Sequence, residues 1–195
     1  MAELKINGKT VVTQTGSNEP IIGSNVNFNN AVFPAGHIIQ VKQTVKTDYF
    51  NSQSTTFQDI TGLSVSITPT FNTSKILVMW SIATSGYAHF DLRLARLLDS
   101  LETAPYVGNQ LGANRTRSTH HHYTTTSYNT TYDTHSDNGQ FLDSPNTTNS
   151  ITYKFQCACP NSSGYYIRIG YQYSDGDNAW AGSNPSSMTV MEIAG

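Results

Sequence analysis

The residues with the greatest chemical potential are concentrated in one stretch, "RTRSTHHHYTTTSYNTTYDTHSD", which runs from Arg115 to Asp137. It holds four of the six histidines of the chain and three tyrosines, together with many threonines, and it contains no Ile, Leu, Val, Met or Ala. Imidazole binds metals and transfers protons near neutral pH. The stretch is therefore a candidate metal site, catalytic centre or saccharide-binding surface, and the alternative is a polar strand without a chemical role.

The three successive histidines alternate between two faces if the stretch is a strand. His120 and His122 then share one face, and His121 points the other way. A pair of imidazoles at this spacing can bind a transition metal, but two ligands are too few unless a threefold axis brings six together. His120 and His122 are therefore the metal candidates. The favoured interpretation is a polar strand without metal or cofactor, whose histidines are mostly solvated or lie at a subunit contact.

A catalytic role requires a nucleophile, a base and an orienting group. Ser, His and Asp all occur in the stretch, but no GxSxG motif surrounds a serine. The carboxylates Asp133, Asp137 and Asp143 are candidates for a glycosidase pair, although their spacing singles out no two of them. We therefore predict that the chain is not an enzyme, and an enzyme that degrades polysaccharide ranks behind the other functions.

Aromatic residues in polar loops favour the saccharide interpretation. Their rings offer flat amphipathic faces, while Asn, Thr and His supply hydrogen-bond donors and acceptors, and such surfaces bind neutral ligands without large charge. The candidate ligand-binding residues are Tyr123, Tyr128, Tyr132, Tyr171 and Trp180.

Composition excludes several classes of partner. Charged residues make up 12% of the 195 residues, about half of the roughly 25% that is usual. The net charge of −2 and the lack of a basic cluster argue against nucleic acid, which requires clustered Lys and Arg. No apolar run approaches the roughly 20 residues of a membrane helix. The opening "MAELKINGKT" lacks the apolar core of a signal peptide, so we expect synthesis in the cytoplasm and no membrane insertion.

Alternation of apolar and polar residues predicts strands throughout the second part of the chain. The segments are 37–47, 63–68, 75–83, 151–159, 165–173 and 188–194. Residues 75–83 are apolar on both faces at first, which indicates a central, buried strand. Residues 90–104 fit strand and helix spacing alike, and their neighbours favour a strand through about Leu98. Cys157 and Cys159 lie at strand spacing, on the face of Tyr153 and Phe155, which indicates buried core residues.

These strands and the composition of the first residues predict the architecture. Roughly eight strands without βα alternation indicate an all-β fold, an antiparallel β-sandwich of jelly-roll type. Residues 1–35 are rich in Asn and Gly, with apolar pieces too short to build a core, and "PAG" at 34–36 marks a turn. We therefore predict an extended N-terminal arm for attachment or oligomerisation (1–35) and a sandwich domain (36–195). The arm residues predicted to anchor it are Val11, Val12, Ile21, Ile22 and Phe28.

Several segments in this order resemble a family of small virion proteins and fibre-tip domains of tailed phages, abundant among marine and cyanobacterial phages. They are "FPAGHIIQVKQTVKTD" (33–48), "TTFQDITGLSVSITPT" (55–70), "SKILVMWSIA" (74–83), "GANRTRST" (112–119), "FLDSPNTTNSITYKFQ" (141–156) and "MTVMEIAG" (188–195). The chain departs from the family in 97–106 and in the His-, Tyr- and Thr-rich insert 119–137, and the resemblance supplies no catalytic residues.

The resemblance implies a structural protein of the phage virion surface, a short fibre, spike or capsid decoration, assembled in the host cytoplasm. The implied state is a homotrimer whose arm binds other virion proteins. The alternative function is a receptor-binding module that recognises host-surface glycan through its Tyr-, His- and Asn-rich loops.

Overall fold

A computed structural model of the chain describes residues 2–18, 21–22, 33–86, 88–110, 112–124, 133–160, 165–172, 179 and 181–195. Every regular element in these ranges is a β-strand, and every strand pair is antiparallel. The chain divides between Phe33 and Pro34 into two compact units. Within the described ranges there is no helix of the length and apolarity that a membrane span requires.

The N-terminal unit contains one small sheet. Its strands, in the order β1-β2-β3, are β1 (Ala2–Ile6), β2 (Lys9–Gln14) and β3 (Ile21–Ile22). The turn between β1 and β2 places Asn7 and Gly8 at positive φ, the conformation of a two-residue hairpin turn that Asn-Gly favours. Of the predicted anchoring residues, Val11 and Val12 lie half-buried in β2, Ile21 and Ile22 form β3, and Phe28 falls outside the described residues.

The second unit contains two sheets. Five strands form the first: β6 (Gln58–Ile67), β8 (Ala88–Leu98), β9 (Leu101–Tyr106), β10 (His120–Thr124) and β12 (Ile151–Ala158). Six strands form the second: β4 (Ile38–Lys46), β5 (Phe50–Ser52), β7 (Lys75–Gly86), β11 (His135–Asp143), β13 (Ile167–Ile169) and β14 (Ser186–Ile193). In the five-stranded sheet, β8 pairs with β12 on one edge and with β10 and β9 in succession on the other.

The central strand of the six-stranded sheet is β7, as its apolar sequence predicts. One edge of β7 pairs with β11 along 76–84. The other edge pairs first with β14, along 75–81, and then with β13, along 84–86. Ile76 and Val78 face inward and are fully buried, whereas Leu77 is half-buried and Met79 is 38% exposed. The apolar run therefore does not mean burial on both faces, because among the described residues one face of β7 stays partly in contact with water.

One hydrophobic core lies between the two sheets, and the predicted all-β antiparallel sandwich is confirmed. Both sheets contribute alternate residues, such as Leu63, Val65 and Ile67 from β6 and Val190 from β14. The jelly-roll type of the sandwich and the role of the N-terminal arm stay predictions. The free cysteines Cys157 and Cys159 are fully buried in this core, as their spacing predicts.

The segment 90–104, for which the sequence left helix and strand open, forms the hairpin of β8 and β9. Asp99 and Ser100 form its turn, with φ angles of 50° and 66°. Positive φ at both central residues gives the turn a twist that matches paired strands. The side chain of Asn149 donates to Asp99 at 3.0 Å, which ties the turn to the loop before β12. The strand predicted through about Leu98 is confirmed, because β8 ends at that residue.

Candidate functional site

The three histidines of β10 lie at the edge of the five-stranded sheet, where β10 pairs with β8. His120 and His122 stand opposite Leu92 and Phe90 and point into the sandwich. His121 stands opposite Asp91 and points outward. The alternation expected of a strand thus divides the histidines between two separate sites. The sequence predicts that residues 115–132 are mostly extended. Among the described residues of that range, His120–Thr124 are strand and 115–119 are irregular, and 125–132 fall outside the described residues.

The inward site joins the two sheets. Asp137, from β11 of the facing sheet, accepts a hydrogen bond from His122 Nε2 at 2.7 Å and another from Thr84 Oγ1 at 2.6 Å. His120 Nδ1 lies 3.6 Å from the same carboxylate. We call His120, His122, Asp137 and Thr84 the inner cluster. Because its members come from β10, β11 and β7, it fastens an edge of one sheet to the other.

A tryptophan determines the protonation of His120. Trp80 Nε1 can only donate, and it lies 3.0 Å from His120 Nε2. The His120 Nε2 atom must therefore accept, which leaves the proton on Nδ1, the atom that faces Asp137. Burial lowers the pKa of His120 below its ordinary value and outweighs the opposing attraction of Asp137. The imidazole of His120 is thus held neutral.

Asp137 is held in its ionised form. Its side chain is 5% exposed, and burial raises its pKa, but the hydrogen bonds from His122 and Thr84 and the nearby imidazoles outweigh that effect and lower it overall. The hydroxyl of Thr84 donates to this carboxylate and is fully buried. Asp137 is therefore bonded both to β10, through His122, and to β7, through Thr84.

The sequence predicts histidines that are mostly solvated or at a subunit contact. In the structure His121 is 51% exposed, and His120 and His122 are half-buried against Asp137. The reason is tertiary: Asp137 comes from the facing sheet, and no local pattern reveals that pairing. Both candidate metal ligands already hold hydrogen-bond partners. Across the described residues, no group of three or more His, Cys, Asp or Glu side chains is arranged to hold a metal ion.

The two other candidate carboxylates lie in different surroundings. Asp133 is exposed before the start of β11. Asp143, at the end of β11, accepts from Arg96 Nη1 at 2.9 and 2.8 Å and from the Tyr153 hydroxyl at 2.7 Å. Burial raises the pKa of Tyr153, so its hydroxyl keeps its proton and serves as a donor. Asp143 thus joins β11 to β8 and β12.

The outward site is an open cavity of about 590 Å³. His121 Nδ1 lies 2.9 Å from the fully buried Asp91, whose second oxygen, Oδ2, has no hydrogen-bond partner among the described residues. The rings of His89 and His121 stack at 5.5 Å. The cavity is lined by His89, Asp91, Asn114, Arg115, Thr116, His121 and Pro160. Sequence analysis did not identify His89 or Asp91, which precede the histidine stretch by some 30 residues and reach it only through the pairing of β8 with β10.

The predicted ligand-binding aromatics have different surroundings. Tyr123 is 62% exposed, and its ring packs on His89 at 4.5 Å, beside the outward cavity. Tyr171 is 9% exposed, with the edge of Tyr49 at 5.4 Å and the guanidinium of Arg168 at 5.0 Å from its ring. Its faces are therefore covered by the protein itself. The other three candidates, Tyr128, Tyr132 and Trp180, fall outside the described residues.

No protein-family model matches the sequence, and no curated protein matches it. Solved structures of infectious bursal disease virus resemble it at low similarity. The Gt strain has a TM-score of 0.39 and 10% identity over 95% of this chain and 47% of that chain. The structure of the Gx strain has a TM-score of 0.38 and 11% identity, and the match covers 100% of this chain and 50% of that chain. A mutant VP2 protein of this virus, in derived T=1 particles, has a TM-score of 0.36 and 13% identity, and the match covers 93% of this chain and 41% of that chain. The chain spans half or less of each of these proteins, and the similarity is too low to transfer any of their properties.

Proposed function

We propose that the chain is a structural protein of a phage virion surface, a short fibre, spike or capsid decoration. In this proposal the N-terminal unit attaches to other virion proteins, the sandwich faces outward, and three copies form the working assembly. The observation that carries the proposal is the division of the chain between Phe33 and Pro34. A small sheet and a self-contained sandwich suit separate tasks of attachment and display.

The described part of the N-terminal sheet leaves two apolar side chains exposed on β1. Leu4 is 58% and Ile6 is 60% exposed. Covering these apolar side chains with a further layer would remove them from water and stabilise the sheet. A binding partner of this unit would supply that layer, and the resemblance to virion proteins indicates another virion component.

Buried ionisable groups in the sandwich hold strands together, which supports a structural role. The inner cluster joins the two sheets, and Asp143 joins three strands. Glu192, fully buried in β14, accepts from Gln40, Thr70 and Ser74. Because these hydrogen bonds satisfy the carboxylate, they lower the pKa of Glu192 despite the opposing effect of burial.

Deletion of residues 1–33 tests the proposal. We expect the remaining chain to melt cooperatively with the far-ultraviolet circular dichroism of a β protein, and to be lost from virus particles. Immunogold labelling and mass spectrometry of purified particles from the source virus would measure incorporation. The matched control is Lys5→Ala, which alters an exposed residue of β1 without removing the unit. A truncated chain that still enters particles, or particles without the full-length chain, would contradict the proposal.

Saccharide recognition is a second candidate function, and it is compatible with the first. The outward cavity favours it, because the stacked rings of His89 and His121 lie there beside the polar side chains of Asn114, Arg115 and Thr116. A glycan array compares the full chain with Tyr123→Ala and Arg115→Ala, and Leu101→Ala, at a residue 67% exposed in β9, is the control. We expect the first two variants to weaken the signal. Absence of binding, or an equal loss in all three variants, would leave the architectural role alone.

A further inference from the structure

The outward side of the six-stranded sheet carries no charged side chain over three rows of four positions, on β4, β14, β7 and β11. Cross-strand register places the members of each row side by side. The rows are Val41, Met191, Leu77 and Leu142; Gln43, Thr189, Met79 and Gln140; and Val45, Ser187, Ser81 and Asn138. We call these positions the neutral face.

The first row is apolar across all four strands. Directly opposed residues have their Cβ atoms about 4.5–5.5 Å apart, so their side chains form a continuous strip. Val41 is 53% and Leu142 is 48% exposed at its two ends. Met79, in the next row, widens the strip. A contiguous apolar area in contact with water is a common mark of a protein interaction site.

Four polar members of the neutral face have partners on the outward side of the sheet: Gln43 and Thr189 with one another, and Asn138 and Ser81 with Ser136, which lies just beyond the face on β11. Gln43 donates to Thr189 at 2.9 Å, and Asn138 donates to Ser136 at 3.1 Å. Ser136 also lies 3.5 Å from Ser81. A second layer over this surface would thus leave fewer unpaired polar groups than its composition suggests, and unpaired groups are the main cost of covering a polar surface.

The opposite outward face of the sandwich is charged. Arg93 and Lys154 approach Glu102 at 3.4 and 2.7 Å, and Lys154 also pairs with Asp59 at 2.7 Å. Both faces come from the same strand-rich sequence with few charges. The difference between them is therefore specific to position and is not a consequence of overall composition.

Resting on the trimeric assembly proposed above, we propose that the neutral face is the contact between copies of this chain, turned toward a common threefold axis. A face without charge meets its own copy with neither like-charge repulsion nor buried ion pairs. Closed symmetry lets every copy use the same surface. Four strands about 4.8 Å apart and three rows about 6.8 Å apart span roughly 400 Å². That is about half of the roughly 800 Å² that one partner buries in a standard interface, so contacts around the neutral face would complete the interface.

Light scattering on the full chain tests the proposal with Leu142→Lys and Val41→Lys. The matched control is Leu101→Lys, at a residue 67% exposed in β9 of the other sheet. We expect wild type and control to be trimers at micromolar concentration. Each variant of the neutral face should raise the dissociation constant at least about thirty-fold, because it places an unpaired charge in the contact. Melting temperatures are then compared at a dilution where wild type and variants are all monomeric. Equal values would show that each variant is folded.

A cross-link provides positive evidence. Leu142→Cys treated with a short bis-maleimide should give covalent pairs of chains, and Leu101→Cys should give none. The native Cys157 and Cys159 are fully buried and contribute no background. A trimer that tolerates both lysine variants and forms no cross-link would overturn this inference and leave the proposed function standing. A wild-type monomer, or a stoichiometry other than three, would overturn the threefold arrangement, and the particle experiment would still decide the virion role.

Discussion

Removing the carboxylate of the inner cluster should destabilise the sandwich without affecting its outward surfaces. In Asp137→Ala, the hydroxyl of Thr84 and the Nε2 of His122 both lose their acceptor. Thr84 is fully buried, so water does not replace the lost bond. The His122 side chain is 23% exposed, which lets water compensate in part.

The expected loss follows from these two bonds. A hydrogen bond to a charged group contributes about 1.5–3 kcal/mol, and the bond to Thr84 should be lost in full. With a smaller share from His122, the free energy of unfolding should fall by about 2–4 kcal/mol. For a chain of this size each kcal/mol corresponds to about 2–4 °C, so the melting temperature should fall by roughly 5–15 °C.

Urea unfolding followed by tryptophan fluorescence and a thermal melt measure this loss. Asp133→Ala is the control, because it removes an exposed carboxylate four residues earlier. The low pKa of Asp137 in the folded state adds a second readout: its stabilisation is present above about pH 4 and is lost as pH falls through the folded pKa. The free energy of unfolding of Asp137→Ala should therefore fall less than that of wild type as the pH is lowered. A loss below about 0.5 kcal/mol, or one equal to that of the control, would refute the intersheet role.

Three further predictions concern other buried groups. Gly139→Ala should lower the free energy of unfolding by about 1–3 kcal/mol through overpacking, because the added Cβ would lie 2.2 Å from Cζ2 of Trp80. A melting temperature within about 1 °C of wild type would contradict this. Burial raises the pKa of Cys157 to about 12 and of Cys159 to about 11, so iodoacetamide at pH 8 should modify neither thiol until the chain unfolds. Because His120 has a lowered folded pKa, stability should decline as pH falls below about 6.5. His120→Gln should decline less between pH 7.5 and 5.5; equal declines would exclude the residue as the cause.

Much of the sandwich could be predicted from periodicity. The alternation of Leu63, Val65 and Ile67 with serines predicts a strand with one buried face, and those three residues lie in the core. Cys157 and Cys159 follow the same rule. This success has a simple cause: a strand places alternate side chains on opposite faces whatever its neighbours are.

Other strands have no such local signal. The sequence of β11, "HSDNGQFLD", is polar and contains Gly, and it was not predicted as a strand. It forms one because it pairs along β7 from 76 to 84. Gly139 faces inward there, where the ring of Trp80 fills the space that a side chain would occupy.

The sequence by itself determined the strand-rich class of this protein, the alternation of His120, His121 and His122, and the change in composition near Phe33. Each of these depends on residue type and spacing along the chain. Only the tertiary structure decided that His122 meets Asp137, that His121 meets Asp91, and that the neutral face is continuous. Those arrangements depend on which distant strands become neighbours and in which register, and a register shift of one residue would turn every side chain of a strand to the other face.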